Sequence, residues 1–251
     1  VTEPTTRIGF SQRIRLEWLD ATASLILAGN DRRAIDASLQ ALLADKVSVG
    51  GRATRGNREK TITILMKTWL DMPQGLGPLR DAGLELLRGL NRDDRIAVHW
   101  GMVLAAYPFW GSVAAHTGRL LRLQDSVGAA QVQRRIRERY GERPTVERAT
   151  RRVLRTFIDW GVLDDTATRG LYVRGRRHTI QAPECIAWLA EAVLTARSSG
   201  AATAKDLLAS QALFPFNLAP MTAQQVASLS SRLDVLRHGL DEDLVMLRSE
   251  R

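Results

Sequence analysis

Apolar residues recur along this chain at intervals of three and four, and that spacing predicts a succession of amphipathic helices. Residues 11–28 open on Ser11, a favourable N-cap, and carry Ile14, Leu16, Trp18, Leu19, Ala21, Leu25 and Ile26 on a broad apolar face. Gly29-Asn30 stops this helix, and Asn30 or Asp31 caps the next, whose core stripe is Ile35, Leu39, Leu42 and Leu43. A loop over 47–56 leads to a third helix over 58–70, which ends before Pro73. Gln74-Gly75-Leu76-Gly77-Pro78 is the clearest linker. The pattern then predicts helices over 78–90, 93–106 and 108–123, with Pro108 suited to a first helical turn. Further helices are expected over 129–140 and 184–197, a looser stretch around Phe214-Pro215-Phe216, and a last helix pair over 222–248. No internal repeat of 20–50 residues stands out.

The stretch from 131 to 180 differs from the rest. Pro144 disfavours helical geometry at Arg143, so Gly141-Glu142-Arg143-Pro144 breaks the helical pattern, and Thr145 is positioned to cap a new helix. Val146, Ala149, Val153, Leu154, Phe157 and Ile158 form one stripe of that helix, and Arg148, Arg151, Arg152 and Arg155 form the opposite one. Gly161 ends it. Two extended pieces, 161–163 and 171–174, flank the turn over 164–170, with a possible third at 178–181. Helix, turn, helix and small hairpin is the order of a winged helix-turn-helix. The expected fold is therefore mostly α. Multi-helical N-terminal and middle regions precede a winged helix-turn-helix with a small β-hairpin in the C-terminal half. The expected segments are residues 1–74, 75–125, 126–182 and 183–251.

Charge sharpens this reading. The net charge is +9, and residues 131–180 hold 13 basic residues, all arginine, against 6 acidic ones. Arginine's planar fork suits phosphates and guanine edges, so a concentration of this kind points to a polyanion partner. Arg148, Arg151, Arg152 and Arg155 are the candidate contacts to double-stranded DNA from the second helix. Arg134 stands on the helix before it. Arg169, Arg174, Arg176 and Arg177 are the candidate backbone contacts from the wing. The alternatives are a transcriptional regulator, a protein-only assembly adaptor and an RNA-binding protein.

Other signals are weaker. Gly51-Arg52-Ala53-Thr54-Arg55-Gly56 has the glycine spacing of a phosphate loop, but Asn57-Arg58 stands where Lys and Ser/Thr belong. Nucleotide hydrolysis is therefore not expected. Arg52, Arg55, Arg58 and Lys60 are either a second phosphate contact or a plain solvated loop. His99, His116, His178 and His238 have no metal-ligand spacing, Cys185 lacks a nucleophile motif, and no Gly-x-Ser-x-Gly occurs. The expectation is a non-enzyme with no catalytic residue, cofactor or metal. The six tryptophans fall mostly on apolar faces and are read as core anchors. No apolar run reaches the roughly 18–20 residues of a membrane span. Val1-Thr2-Glu3-Pro4 does not open a signal peptide, and one cysteine makes no internal disulfide, so a cytoplasmic protein with no membrane partner is expected.

Three stretches carry a family resemblance. They are Ile64-Leu65-Met66-Lys67-Thr68-Trp69; Leu84-Glu85-Leu86-Leu87 through His99-Trp100 to Tyr107-Pro108-Phe109; and Thr145-Val146-Glu147-Arg148-Ala149-Thr150 to Asp159-Trp160-Gly161-Val162-Leu163. In order and wording this chain resembles, over about residues 10–165, the small BrxA-type proteins of BREX phage-defence systems. The resemblance implies a small helical, non-enzymatic DNA-binding accessory protein, working beside a methyltransferase, an ATPase and a phosphatase-like component.

Overall fold

A computed structural model describes residues 8–47, 56–197, 199–238 and 242–248. Its first half is helical: α1 (Leu16–Leu27), α2 (Arg32–Leu42), α3 (Asn57–Trp69), α4 (Gly77–Gly89), α5 (Arg95–Ala106) and α6 (Pro108–Leu123). Local chemistry sets several of these bounds. The Asp31 carboxylate accepts from the Ala34 N–H at 2.8 Å and caps α2. Pro108 begins α6, where its missing N–H costs nothing. Only α1 departs clearly from expectation. It starts at Leu16, and residues 10–15 are non-helical ahead of it, with a bend at Gln12 and extended backbone at Arg15.

α5 is the axis of the molecule. Every residue from 96 to 104 is buried, because α1, α3, α4, α6 and a later helix, α9 (Pro183–Thr195), surround it. Two glycines let α9 approach. A Cβ on Gly101 would stand 2.9 Å from Cη2 of Trp188 and closer still to Cζ3, and one on Gly83 would stand 2.9 Å from Cζ2 of the same ring. The indole N–H of Trp188 donates to the Leu79 carbonyl at 2.9 Å, so the buried ring is both packed and satisfied. Around Trp100 the rings of Trp110, Phe157, Trp160, Phe214 and Phe216 close a second aromatic cluster, with Phe157 stacked at 5.2 Å. One continuous buried core runs through all four expected segments.

The stretch after α6 is wired as follows. A short strand β1 (Ser126–Gly128) leads directly into α7 (Ala129–Tyr140). Gly141, at φ +84°, turns the chain into α8 (Pro144–Asp159), and β2 (Leu163–Asp165) and β3 (Leu171–Arg174) form a hairpin. The last strand lies in the middle of the sheet, in the order β1-β3-β2, with Val127 opposite Tyr172 and Asp164 opposite Val173. The expected third piece at 178–181 does not join this sheet. β4 (His178–Ile180) pairs in parallel with β6 (Phe216–Leu218).

The same wiring then recurs. After α9 come β5 (Ala201–Thr203), α10 (Ala204–Leu208) and, past a longer connection that carries a 3-10 turn and β6, α11 (Ala223–Ser228) and the hairpin β7 (Leu233–His238) and β8 (Glu242–Leu247), in the sheet order β5-β8-β7. Again a strand runs straight into a helix and the last strand lies centrally, with Ala202 opposite Val245. The expected helix pair over 222–248 is corrected: among the described residues of that stretch only 223–228 is helical, and the apolar residues Leu233, Val235 and Val245 belong to a hairpin. The sequence hides the recurrence. Val127 and Val132 are matched only by Ala202 and Leu207, all four buried, and the long α8 is matched by a helix of two turns.

Candidate nucleic-acid interface

α8 is strongly amphipathic. Val146, Ala149, Val153, Leu154 and Phe157 are buried, and the helix packs on α6, α7 and β2. The opposite stripe does not present all four arginines alike. Arg148 is exposed and makes no hydrogen bond or ion pair. Arg151 reaches back one turn to Glu147 at 2.6 Å. Arg155 reaches both carboxylate oxygens of Asp165 on β2 at 2.9 Å. Both pairs are solvent-exposed, and pairs of that kind are worth about 0.2–1 kcal/mol. A phosphate can therefore replace either carboxylate at small cost.

Arg152 is a correction to the expected open stripe. Its guanidinium turns to the Ser11 carbonyl, and burial, followed by the neighbouring Arg148, holds its pKa below the ordinary value. It belongs to a strap that sequence reasoning missed. The non-helical residues 10–15 lie along the C-terminal half of α8. Ile14 N–H donates to Thr156 Oγ1 at 3.2 Å, the Trp160 indole donates to the Ile14 carbonyl at 2.9 Å, and Arg13 pairs with Asp159. Phe10 and Ile14 are fully buried beneath it. The open part of α8 is its N-terminal half, with Arg155 at its limit.

The hairpin separates its arginines too. Thr166 braces the turn, its hydroxyl donating to the Leu171 carbonyl at 2.9 Å, and leaves Arg169 exposed without a partner. Arg174 is half-buried and bonds the Leu121 carbonyl at the end of α6. Arg176 pairs with Asp93 at 2.8 Å, and Arg177 bonds the Asn217 side chain. Arg174, Arg176 and Arg177 thus join the hairpin to the helical core and to β6, where free backbone contacts were expected. The acidic or carbonyl partners are distant in sequence, which is why spacing alone does not show them.

On α7, Arg134 and Arg135 both lie near Glu138, at 3.6 and 3.1 Å, and Arg137 is exposed with no partner. Arg137 is a candidate that the sequence reading passed over. Arg52 and Arg55 lie outside the described residues. Arg58 bonds the Ala44 carbonyl at 2.6 Å, and Lys60 is exposed. Both stand on α3, which packs mainly on α1, α2 and α5, whereas α8 packs mainly on α6, α7 and β2.

His99 is fully buried and held neutral by desolvation, and its Nε2 lies 3.3 Å from Asp20. The hydrogen bond from His99, then the one from Arg95, holds the Asp20 carboxyl at about 2. Burial pushes the Cys185 thiol up to about 12. Among the described residues no group of His, Cys, Asp and Glu is placed to hold a metal ion, and no helix is long and apolar enough to cross a membrane. Compared with protein-family models, with curated proteins and with solved structures, the chain matches none.

Proposed function

We propose that residues 108–174 are a winged helix-turn-helix that binds double-stranded DNA, with the N-terminal half of α8 docked in the major groove. One observation carries the reading: Arg148, Arg151 and Arg155 stand on the outer stripe of a helix whose other stripe is buried. That helix belongs to a unit of order α6-β1-α7-α8-β2-β3 with its last strand central. Arg169 at the hairpin turn and Arg134 and Arg137 on α7 supply phosphate contacts beside it. The mechanism is non-covalent: guanidinium groups displace the counterions of the duplex, and the apolar stripe keeps the helix rigid while they do so. The resemblance to BrxA-type proteins extends the proposal to a non-enzymatic, cytoplasmic accessory role in phage defence.

The test is fluorescence anisotropy with a labelled duplex, for the parent chain and for Arg148→Glu. The proposal expects binding that weakens about 10-fold in the variant, the cost of one charge-assisted contact. Equal binding by both removes α8 from the interface. Competition with random duplex separates an accessory factor from a sequence-specific regulator, for which each mismatch costs about 1–3 kcal/mol.

A further inference from the structure

The two similarly wired units meet at a cleft of about 660 Å³ that the duplex-binding surface does not use. Four cations converge on it. Arg122 comes from the last turn of α6 and Arg139 from the last turn of α7, while Arg197 follows α9 and Lys205 lies in α10. Asp206 is the one carboxylate among the lining residues. Arg122, Arg197 and Lys205 are exposed and make no hydrogen bond or ion pair. Arg139 is held in place: it donates to Ser112 Oγ at 3.2 Å and lies 5.6 Å from the Tyr140 ring centroid. Ser112 is fixed in turn by the Tyr140 hydroxyl at 3.0 Å. Like charges repel, so three unpaired cations and a positioned arginine around one concavity are a cost to the folded chain unless an anion joins them. The positive field extends to His116. Burial, then Arg135, Arg119 and Arg139, lowers its pKa.

We infer that this cleft binds a nucleoside carrying several phosphates, either free or as part of a single strand. The cations at the rim match clustered phosphates, and the exposed Pro108 and Ala209, with the partly exposed Ala115 and Ala196, give a base or sugar an apolar surface to cover. The volume falls within the roughly 300–1,000 Å³ of small-ligand sites. No lining residue belongs to α8 or to the β2–β3 hairpin, so the site stands apart from the proposed duplex contact. A cation pair from each unit also makes the site dependent on how the two units sit together.

Three probes test this: inorganic tripolyphosphate, ATP, and a fluorescein-labelled single strand of about 12 nucleotides, at about 50 mM salt. The variants are the double substitution Arg197→Gln with Lys205→Gln and, as a control on the other face, Arg148→Glu. The inference expects the parent chain to bind at least one probe and the double variant to bind it about 10-fold or more weakly, while duplex affinity stays within about 2-fold. Arg148→Glu should do the reverse. Tighter binding of ATP than of the strand identifies a free nucleotide, and the opposite order identifies a polynucleotide. Should the double variant unfold, Arg122→Gln carries the same expectation. Failure of the parent chain to bind any probe at millimolar concentration overturns the inference, as does unchanged binding by a folded variant. Failure of the parent chain to bind duplex while it still binds a probe overturns the α8 proposal and leaves the cleft standing.

Discussion

Gly101→Ala should be among the most damaging single-methyl changes in this protein. Gly101 is on α5 where α9 crosses it, and the added Cβ would lie 2.9 Å from Cη2 of Trp188, closer to Cζ3, and 3.2 Å from Leu189 Cδ2. The ring has no room to retreat. Gly83 lies against its other edge, and its N–H is committed to the Leu79 carbonyl at 2.9 Å. Overpacking of a dense core costs about 1–3 kcal/mol. If the ring shifts far enough to lose its hydrogen bond, an unpaired buried N–H adds about 1–3 kcal/mol. Against this, Ala is better than Gly in a helix by about 0.8–1.0 kcal/mol. The expected net loss is about 2–4 kcal/mol. At about 2–4 °C per kcal/mol for a chain of this size, Tm falls by about 4–16 °C. Thermal and urea unfolding of the parent and variant measure it. The control is Gly89→Ala at the end of α4, where an added Cβ meets nothing within 4 Å. That change should be neutral, or stabilising by up to about 1 kcal/mol. If Gly101→Ala unfolds no earlier than the parent, α9 does not pack on α5 as described.

Replacing Arg151 and Arg155 together by Glu should weaken duplex binding about 100-fold or more while leaving the fold intact, since both side chains are exposed and only two surface ion pairs are lost. Anisotropy and circular dichroism on the same samples check the two halves of that statement. Acid should destabilise the chain in two stages. His99, buried and neutral with its folded pKa depressed, favours the unfolded state as pH falls below its ordinary 6.5. Asp20, depressed from 3.8 to about 2, stabilises fully above 3.8, and that contribution is lost as pH falls toward 2. Urea midpoints against pH should therefore be level from neutral upward and decline below about 6.5. Asp20→Asn should remove the lower stage. Cys185, fully buried with its thiol raised to about 12, should resist a thiol reagent at pH 8 in the native state and react promptly in urea. Equal native and denatured rates would place the thiol at the surface.

The helices were largely legible because one apolar face and one solvated face impose a period near 3.6, and Pro108 and Pro144 mark two of their starts. β1 was not legible, since three residues carry no alternation to detect. The β7–β8 hairpin was misread for a different reason. Leu236 is exposed beside the partly buried Val235 and near the buried Leu233, so the apolar residues fit a helical count as well as an alternating one. The strap over 10–15 looks helical in isolation. Its Ile14 backbone donates to Thr156 on α8 and accepts from Trp160 just past the end of that helix, both far along the chain. The candidate site follows the same rule. That α8 would turn an arginine stripe outward could be read from spacing. Which arginines remain free depends on Ser11, Asp165, Asp93 and Asn217, and only the fold brings those residues to them.

The central claim is that α8 and its hairpin hold duplex phosphates through Arg148, Arg151, Arg155 and Arg169. Equilibrium binding of the whole chain to a duplex of about 20 base pairs, from about 50 to 200 mM salt, tests it most directly. Four phosphates neutralised by these arginines, or six with Arg134 and Arg137, predict a log–log slope of about −3.6 to −5.4. A flat response, or no binding at the lowest salt, contradicts the claim.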